Sequence, residues 1–191
     1  MIENYVKKEF YFLDFNHSLL SDPKEIFENK MANTLGLTRV FYNLFRHFNI
    51  ENQVILTTNK TKVAFDPDFN GSNYCQEVLF YFPSIDEYLS PDFMNLRLGI
   101  VPSVLAGQQG LFLTPIAVGK DRYFLPEFRE IEPLPVSATG DTLRLNIKVD
   151  MTKKNISGQL MRVLSGYNAT RVQSSWDKME DTDKEDFISH Y

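Results

Sequence analysis

One cysteine, three histidines, no cationic run and no long apolar run: each shortage in this chain removes a class of function. With Cys75 alone, an internal disulfide and any zinc site built from several thiolates are excluded. His17, His47 and His190 lie far apart without HxxxH spacing, so the metalloprotease pattern is missing. Twenty basic residues against twenty-five acidic ones give a formal charge of -5, and no Lys/Arg cluster supplies the electrostatic footprint of a nucleic-acid binder. No apolar stretch approaches the roughly 20 residues that span a bilayer, so no transmembrane segment is expected. The opening MIENYVKKEFYF lacks a basic start, a long apolar stretch and a small-residue cleavage site, and does not read as a signal peptide.

What remains is enough for a packed core. Of 191 residues 43% are hydrophobic and 14% aromatic, which suits one domain, or one domain plus part of another. Helical signals dominate the first fifty residues. Asp22-Pro23-Lys24-Glu25 supplies a capping carboxylate, a proline for the first helical position and an acidic first turn. Leu37, Phe41, Leu44, Phe45 and Phe48 recur at helical spacing, and Thr34 shares the face of Leu37. Short β-rich runs follow at 53–58, 77–82, 110–113 and 123–131, separated by Pro, Gly, Asn and Asp, and are expected to form an antiparallel sheet. In DTLRLNIKVD (141–150) apolar and polar residues alternate, so one face of that strand is wet, and 156–164 is expected to pair with it across MTKKN. Thr182 to Glu185 has capping-box spacing and should open a last helix.

The stretch ANTLGLTRVFYNLFRHFNIENQVILT, followed by EVLFYF, EYLSPD and LGIVPSVLAGQQGLFL, resembles in order and spacing the core of transglutaminase-like, papain-like proteins, and in particular large bacterial exported multidomain proteins. The resemblance runs from about Glu25 to Leu113. It implies an α+β domain with N-terminal helices packed on an antiparallel sheet, and a site made by a cysteine at a helix start, a histidine on a following strand and an aspartate on the next. Those positions fall on Thr34, Glu77 and Ser90. All three depart from the family pattern, and the chemistry departs with them. Acyl transfer by such a triad needs a thiolate, accessible to cysteine with its pKa of about 8.5, and a threonine hydroxyl has no comparable ionised fraction. A glutamate with an ordinary pKa of about 4.3 has no proton to return to a leaving group at neutral pH. Ser90 carries no charge to stabilise an imidazolium. The three positions are therefore expected to mark a catalytically degenerate site, with no catalytic residue, cofactor or metal assigned.

Two other motifs compete. Residues 66–77, DPDFNGSNYCQE, match a calcium-loop pattern through Asp66, Asp68, Asn70, Gly71 and Glu77, although an EF-hand needs helices on both sides and TKVAF and VLFYF read as strands. Cys75, two residues before Glu77, is the one thiol through which a relocated acyl transferase or hydrolase could act. Without an ancestral site, Thr34, Glu77 and Ser90 are simply a cap residue, a strand residue and a turn residue.

The expected organisation is a degenerate core over 1–135 and, over 136–191, the beginning of a β-rich domain opened by the 141–164 hairpin, with the chain a fragment of a longer polypeptide. The resemblance implies a periplasmic or cell-surface location and a structural or peptide-binding role. Its partners would be a peptide or protein in the residual cleft and flanking domains of the same polypeptide. Aromatics such as Phe10, Tyr11, Phe12, Phe15, Phe80, Tyr81 and Phe82 should be mostly core, with some facing those flanking domains.

Overall fold

The computed structural model describes residues 1–68, 71, 74–176 and 179–190, which divide into two compact units, Met1–Pro133 and Leu134–Tyr191. The first unit is a mixed α+β domain. Helices α1 (Ile2–Glu9), α2 (Pro23–Asn29) and α3 (Thr34–His47) precede an antiparallel sheet of β3 (Gln53–Thr57), β4 (Glu77–Phe82), β5 (Glu87–Leu89), β6 (Gln109–Val118) and β7 (Asp121–Glu130), in the order β5-β4-β3-β6-β7. Two short strands, β1 (Tyr11–Phe12) and β2 (Met31–Ala32), pair in parallel between the helices.

Local chemistry explains the helix starts. The Asp22 carboxylate accepts from the backbone N–H of Lys24 and Glu25, and Pro23 occupies the first turn of α2, where its missing N–H costs nothing. At α3 the cap is Asn33, whose side-chain oxygen accepts from Gly36 N at 3.0 Å. Gly36 is fixed by packing: a Cβ there would lie 2.0 Å from the Leu20 carbonyl oxygen. Of the expected α3 stripe, Leu37, Phe41 and Phe45 are buried, but Phe48, beyond the last helical turn, is 56% exposed.

Alternation along the strands sends side chains to two cores. Phe80, Phe82 and Leu89 pack with Leu37, Phe41 and Phe45 of α3, where Phe45 meets both Phe80 and Phe82 edge to face. Ile55, Leu79 and Phe112 point to the other face and are covered by Val101, Leu105, Ala106 and Ile131. Among the expected aromatics Phe10, Phe80 and Phe82 are core, whereas Tyr11 and Phe15 are 69% and 56% exposed. Strand β7 lies at the sheet edge, and Pro126 within it removes a donor where an edge strand tolerates the loss.

The second unit contains the long hairpin of β8 (Gly140–Asp150) and β9 (Asn155–Ser165), then α4 (Tyr167–Trp176) and α5 (Asp181–His190). The two strands pair as expected, Leu145 with Leu160 and Val149 with Ile156; the turn is one residue shorter than MTKKN, since Asn155 already pairs with Asp150, and Lys154 takes the left-handed conformation in it. Helix α5 begins one residue ahead of the expected capping box, because the Glu180 carbonyl already accepts from Lys184 N. Helix α4 was not expected; the N–H of its first residue, Tyr167, donates to the Thr139 hydroxyl before the hairpin at 3.3 Å. Among the described residues no helix is long and apolar enough to cross a membrane.

Candidate functional site

Thr34, Glu77 and Ser90 belong to three elements: the first residue of α3, the first residue of β4 and the residue after β5. A fourth residue links them. The Thr34 hydroxyl donates to Asp92 Oδ2 at 2.9 Å, and the Ser90 hydroxyl donates to Asp92 Oδ1 at 3.3 Å. Glu77 joins electrostatically, since its pKa is raised by burial and, next in size, by the Asp92 charge. Asp14 adds to that effect and Lys62 opposes it.

Asp92 is the pivot of the site and is itself strained toward its neutral form. Burial pushes its pKa up, while the hydroxyls of Thr34 and Ser90, its own backbone N–H and the more distant Lys7 ammonium hold it down. Sequence reasoning missed Asp92 by settling on Ser90. The available signal was Ser90-Pro91-Asp92: proline after a strand turns the chain out of the sheet, and the chain bends at Pro91 and Asp92, which brings the Asp92 carboxylate back to the Ser90 hydroxyl.

The loop after Asp92 is clamped by α1. Lys7 Nζ donates to the carbonyls of Leu96 at 2.6 Å and Phe93 at 3.3 Å, and its ammonium pairs with Glu3 at 3.0 Å. Glu3 in turn accepts from Leu98 N at 3.1 Å. Burial lowers the Lys7 pKa, and Glu3 offsets part of that penalty.

The site therefore offers carboxylate acceptors flanked by hydroxyls already committed as donors. Among the described side chains it holds no imidazole: His17 caps a 3-10 turn by accepting from Leu19 N, and His47 ends α3 against the ring of Phe48. Cys75 is half-buried, and burial pushes its thiol up, away from the thiolate.

The calcium-loop reading falls partly outside the described residues, which omit Asn70 and Asn73. Of its remaining members, the Asp66 carboxylate accepts from Asp68 N as an ordinary Asx turn, and Glu77 starts a strand. The preceding TKVAF is turn and loop, where a strand was expected: Asn59 instead caps a turn by accepting from Thr61. Among the described residues no group of three or more His, Cys, Asp or Glu side chains is arranged to hold a metal ion. Compared with family models, curated proteins and solved structures, the chain matches none.

Proposed function

We propose that the first unit is a non-catalytic transglutaminase-like, papain-like core, acting as a structural or peptide-binding module of a larger exported protein at the periplasm or cell surface. The observation that carries the reading is the convergence of Thr34, Ser90 and Glu77 on Asp92. Two of the three positions assigned by resemblance alone, Thr34 and Ser90, come from distant points of the chain and share the Asp92 carboxylate, and the third, Glu77, lies within reach of its charge. The helix-to-sheet order, α3 leading into β3 of an antiparallel sheet, supports the same fold.

The chemistry supports inactivity. A hydroxyl that donates to a buried carboxylate is positioned and remains protonated, because a carboxylate is too weak a base to ionise an aliphatic alcohol. Asp92 and Glu77, each shifted toward neutrality, suit hydrogen bonding to an extended chain lying across the start of α3.

Two assays test this. Incorporation of a fluorescent primary amine into a glutamine-rich protein should be undetectable, and incorporation abolished by alkylating Cys75 would overturn the reading. In the second, Thr34→Cys, Glu77→His and Ser90→Asp are combined. If the three positions keep triad geometry, the new thiol reacts with iodoacetamide faster at neutral pH than in Thr34→Cys alone, because an adjacent imidazolium favours thiolate. Equal rates would remove the transglutaminase-like assignment.

A further inference from the structure

The hairpin of the second unit has one predominantly apolar face and one mixed face. From the register, Leu143, Leu145, Ile147 and Val149 share one face with Leu160 and Ile156, with Asp141 and Arg162 at its base, while Arg144, Asn146, Lys148, Ser157 and Gln159 take the other together with Met161 and Val163. Those six aliphatic side chains are 55–71% exposed, and Met151 at the tip is 83% exposed. Two strands alone make a marginal sheet in water, so an apolar face of this length calls for a cover.

The two ends of the face differ. At the base the hairpin and the two helices enclose a groove of about 660 Å³, lined by Leu143, Leu160, Leu164, Val172, Trp176 and Phe187. At the tip stand Val149, Ile156 and Met151, which project without cover. Hollow and knob thus sit at opposite ends of one stripe. The stripe has no net charge, because Arg162 at its base is paired with Asp141 through two hydrogen bonds of 2.9 and 2.7 Å.

We infer that a second copy of this chain covers this face, turned end for end, so that the tip of each hairpin fills the base groove of the other. One two-fold axis then satisfies both hollows and both knobs, the self-complementarity an isologous interface requires. The six aliphatic side chains and Met151, each with roughly 100 Å² still exposed, give roughly 700 Å² per copy, close to the about 800 Å² per partner of a standard interface. The two hairpins would pack as facing sheets about 10 Å apart. The inference is independent of the site on the first unit.

Sedimentation analysis of the full chain from about 1 to 100 μM tests it, since interfaces of this size dissociate at micromolar concentrations or below. A species of twice the 22.2 kDa protomer mass is expected. Ile147→Asp, which puts an unpaired charge at the centre of the face, should weaken it about a hundredfold, and Lys148→Ala on the polar face should leave it unchanged. A chain that stays monomeric at about 100 μM, a dimer that survives Ile147→Asp, or an open-ended series of larger species would each overturn the inference. A second readout does not depend on that variant folding. In a Cys75→Ser background, Leu143→Cys with Val149→Cys should be joined into a covalent dimer by a bis-maleimide spanning about 10 Å, the separation of facing sheets, whereas Val149→Cys alone, whose thiols lie at opposite ends of the face, should not. Failure of the double variant to cross-link rejects the end-for-end arrangement.

Discussion

Leu37 and Leu145 occupy equally regular apolar patterns and meet opposite fates: the first is wholly buried on α3, the second 55% exposed on β8. The first unit packs β3, β4, β5 and the start of β6 between two layers, helices on one side and the 101–106 segment with Ile131 on the other, so the alternating side chains there find partners, while β7 and the end of β6 stay exposed. The hairpin has twenty-two strand residues and one pairing, and its helices reach only the base of its apolar face. Pattern decides which face a residue takes; the number of layers decides whether taking it contributes stability. The two units should therefore respond differently to the same truncation. Leu37→Ala is expected to destabilise the first unit by about 2–5 kcal/mol, the range for a fully buried leucine, read as a fall in the urea midpoint of its unfolding transition. A loss below about 1 kcal/mol would mean that the α3 layer repacks freely and that the contrast between units is overstated.

Gly36 sharpens the same contrast through space instead of area. Alanine gains up to about 1 kcal/mol of helix propensity at such a position. Here the added Cβ meets a backbone oxygen, which cannot swing away as a side chain can, along with Ile26 Cδ1 at 2.9 Å and Ala32 Cβ at 3.0 Å. Gly36→Ala should destabilise by about 1–3 kcal/mol, whereas Gly158→Ala in the hairpin, whose nearest atom would be 3.4 Å away, should cost far less. Thermal unfolding of the two variants side by side measures the difference.

Much of this was legible before any coordinates, for reasons that are local. The α2 cap, the α3 stripe up to Phe45 and the pairing of the two hairpin strands each follow from a few neighbouring residues, and each stands where the residues put it. Thr34, Glu77 and Ser90 were singled out only through a resemblance, and the residue that the Thr34 and Ser90 hydroxyls meet, Asp92, was not singled out at all. Its role depends on burial and on a helix 58 positions earlier in the chain. The Lys7 clamp was invisible for the same reason, since a lysine in an N-terminal helix reads as solvated until the Leu96 carbonyl is seen beside it. Exposure of the hairpin face was also illegible, because alternation reports which side is apolar and says nothing of what covers it.

Asp92 gives a prediction confined to the first unit. Its folded pKa is raised above its unfolded value, so the native state holds an extra proton in the window between them and stability falls as pH rises through it. Glu77 acts in the same sense, its pKa also raised by burial. Lys7 acts oppositely at the alkaline end: its folded pKa is lowered, and stability rises with pH between the folded and unfolded values. Asp92→Asn should flatten the acid-side slope of urea midpoint against pH while leaving the alkaline limb in place. An unchanged acid-side slope would show that Asp92 is solvated and that its hydrogen bonds to Thr34 and Ser90 do not persist in solution.

Leu145→Ala carries the smallest expected effect and returns the comparison to its starting pair. In dilute solution, with copies separate, truncating a side chain that is already 55% exposed removes little burial and leaves no cavity, so the change should stay within about 0.5 kcal/mol. The same substitution at concentrations where the chain self-associates removes one of the aliphatic contacts of the inferred interface, and its effect should grow with protein concentration by mass action. A concentration-dependent difference between wild type and Leu145→Ala places the cover of this face in a second molecule. A difference that is large and independent of concentration places it within the chain itself, and then the two units share one rule of burial instead of two.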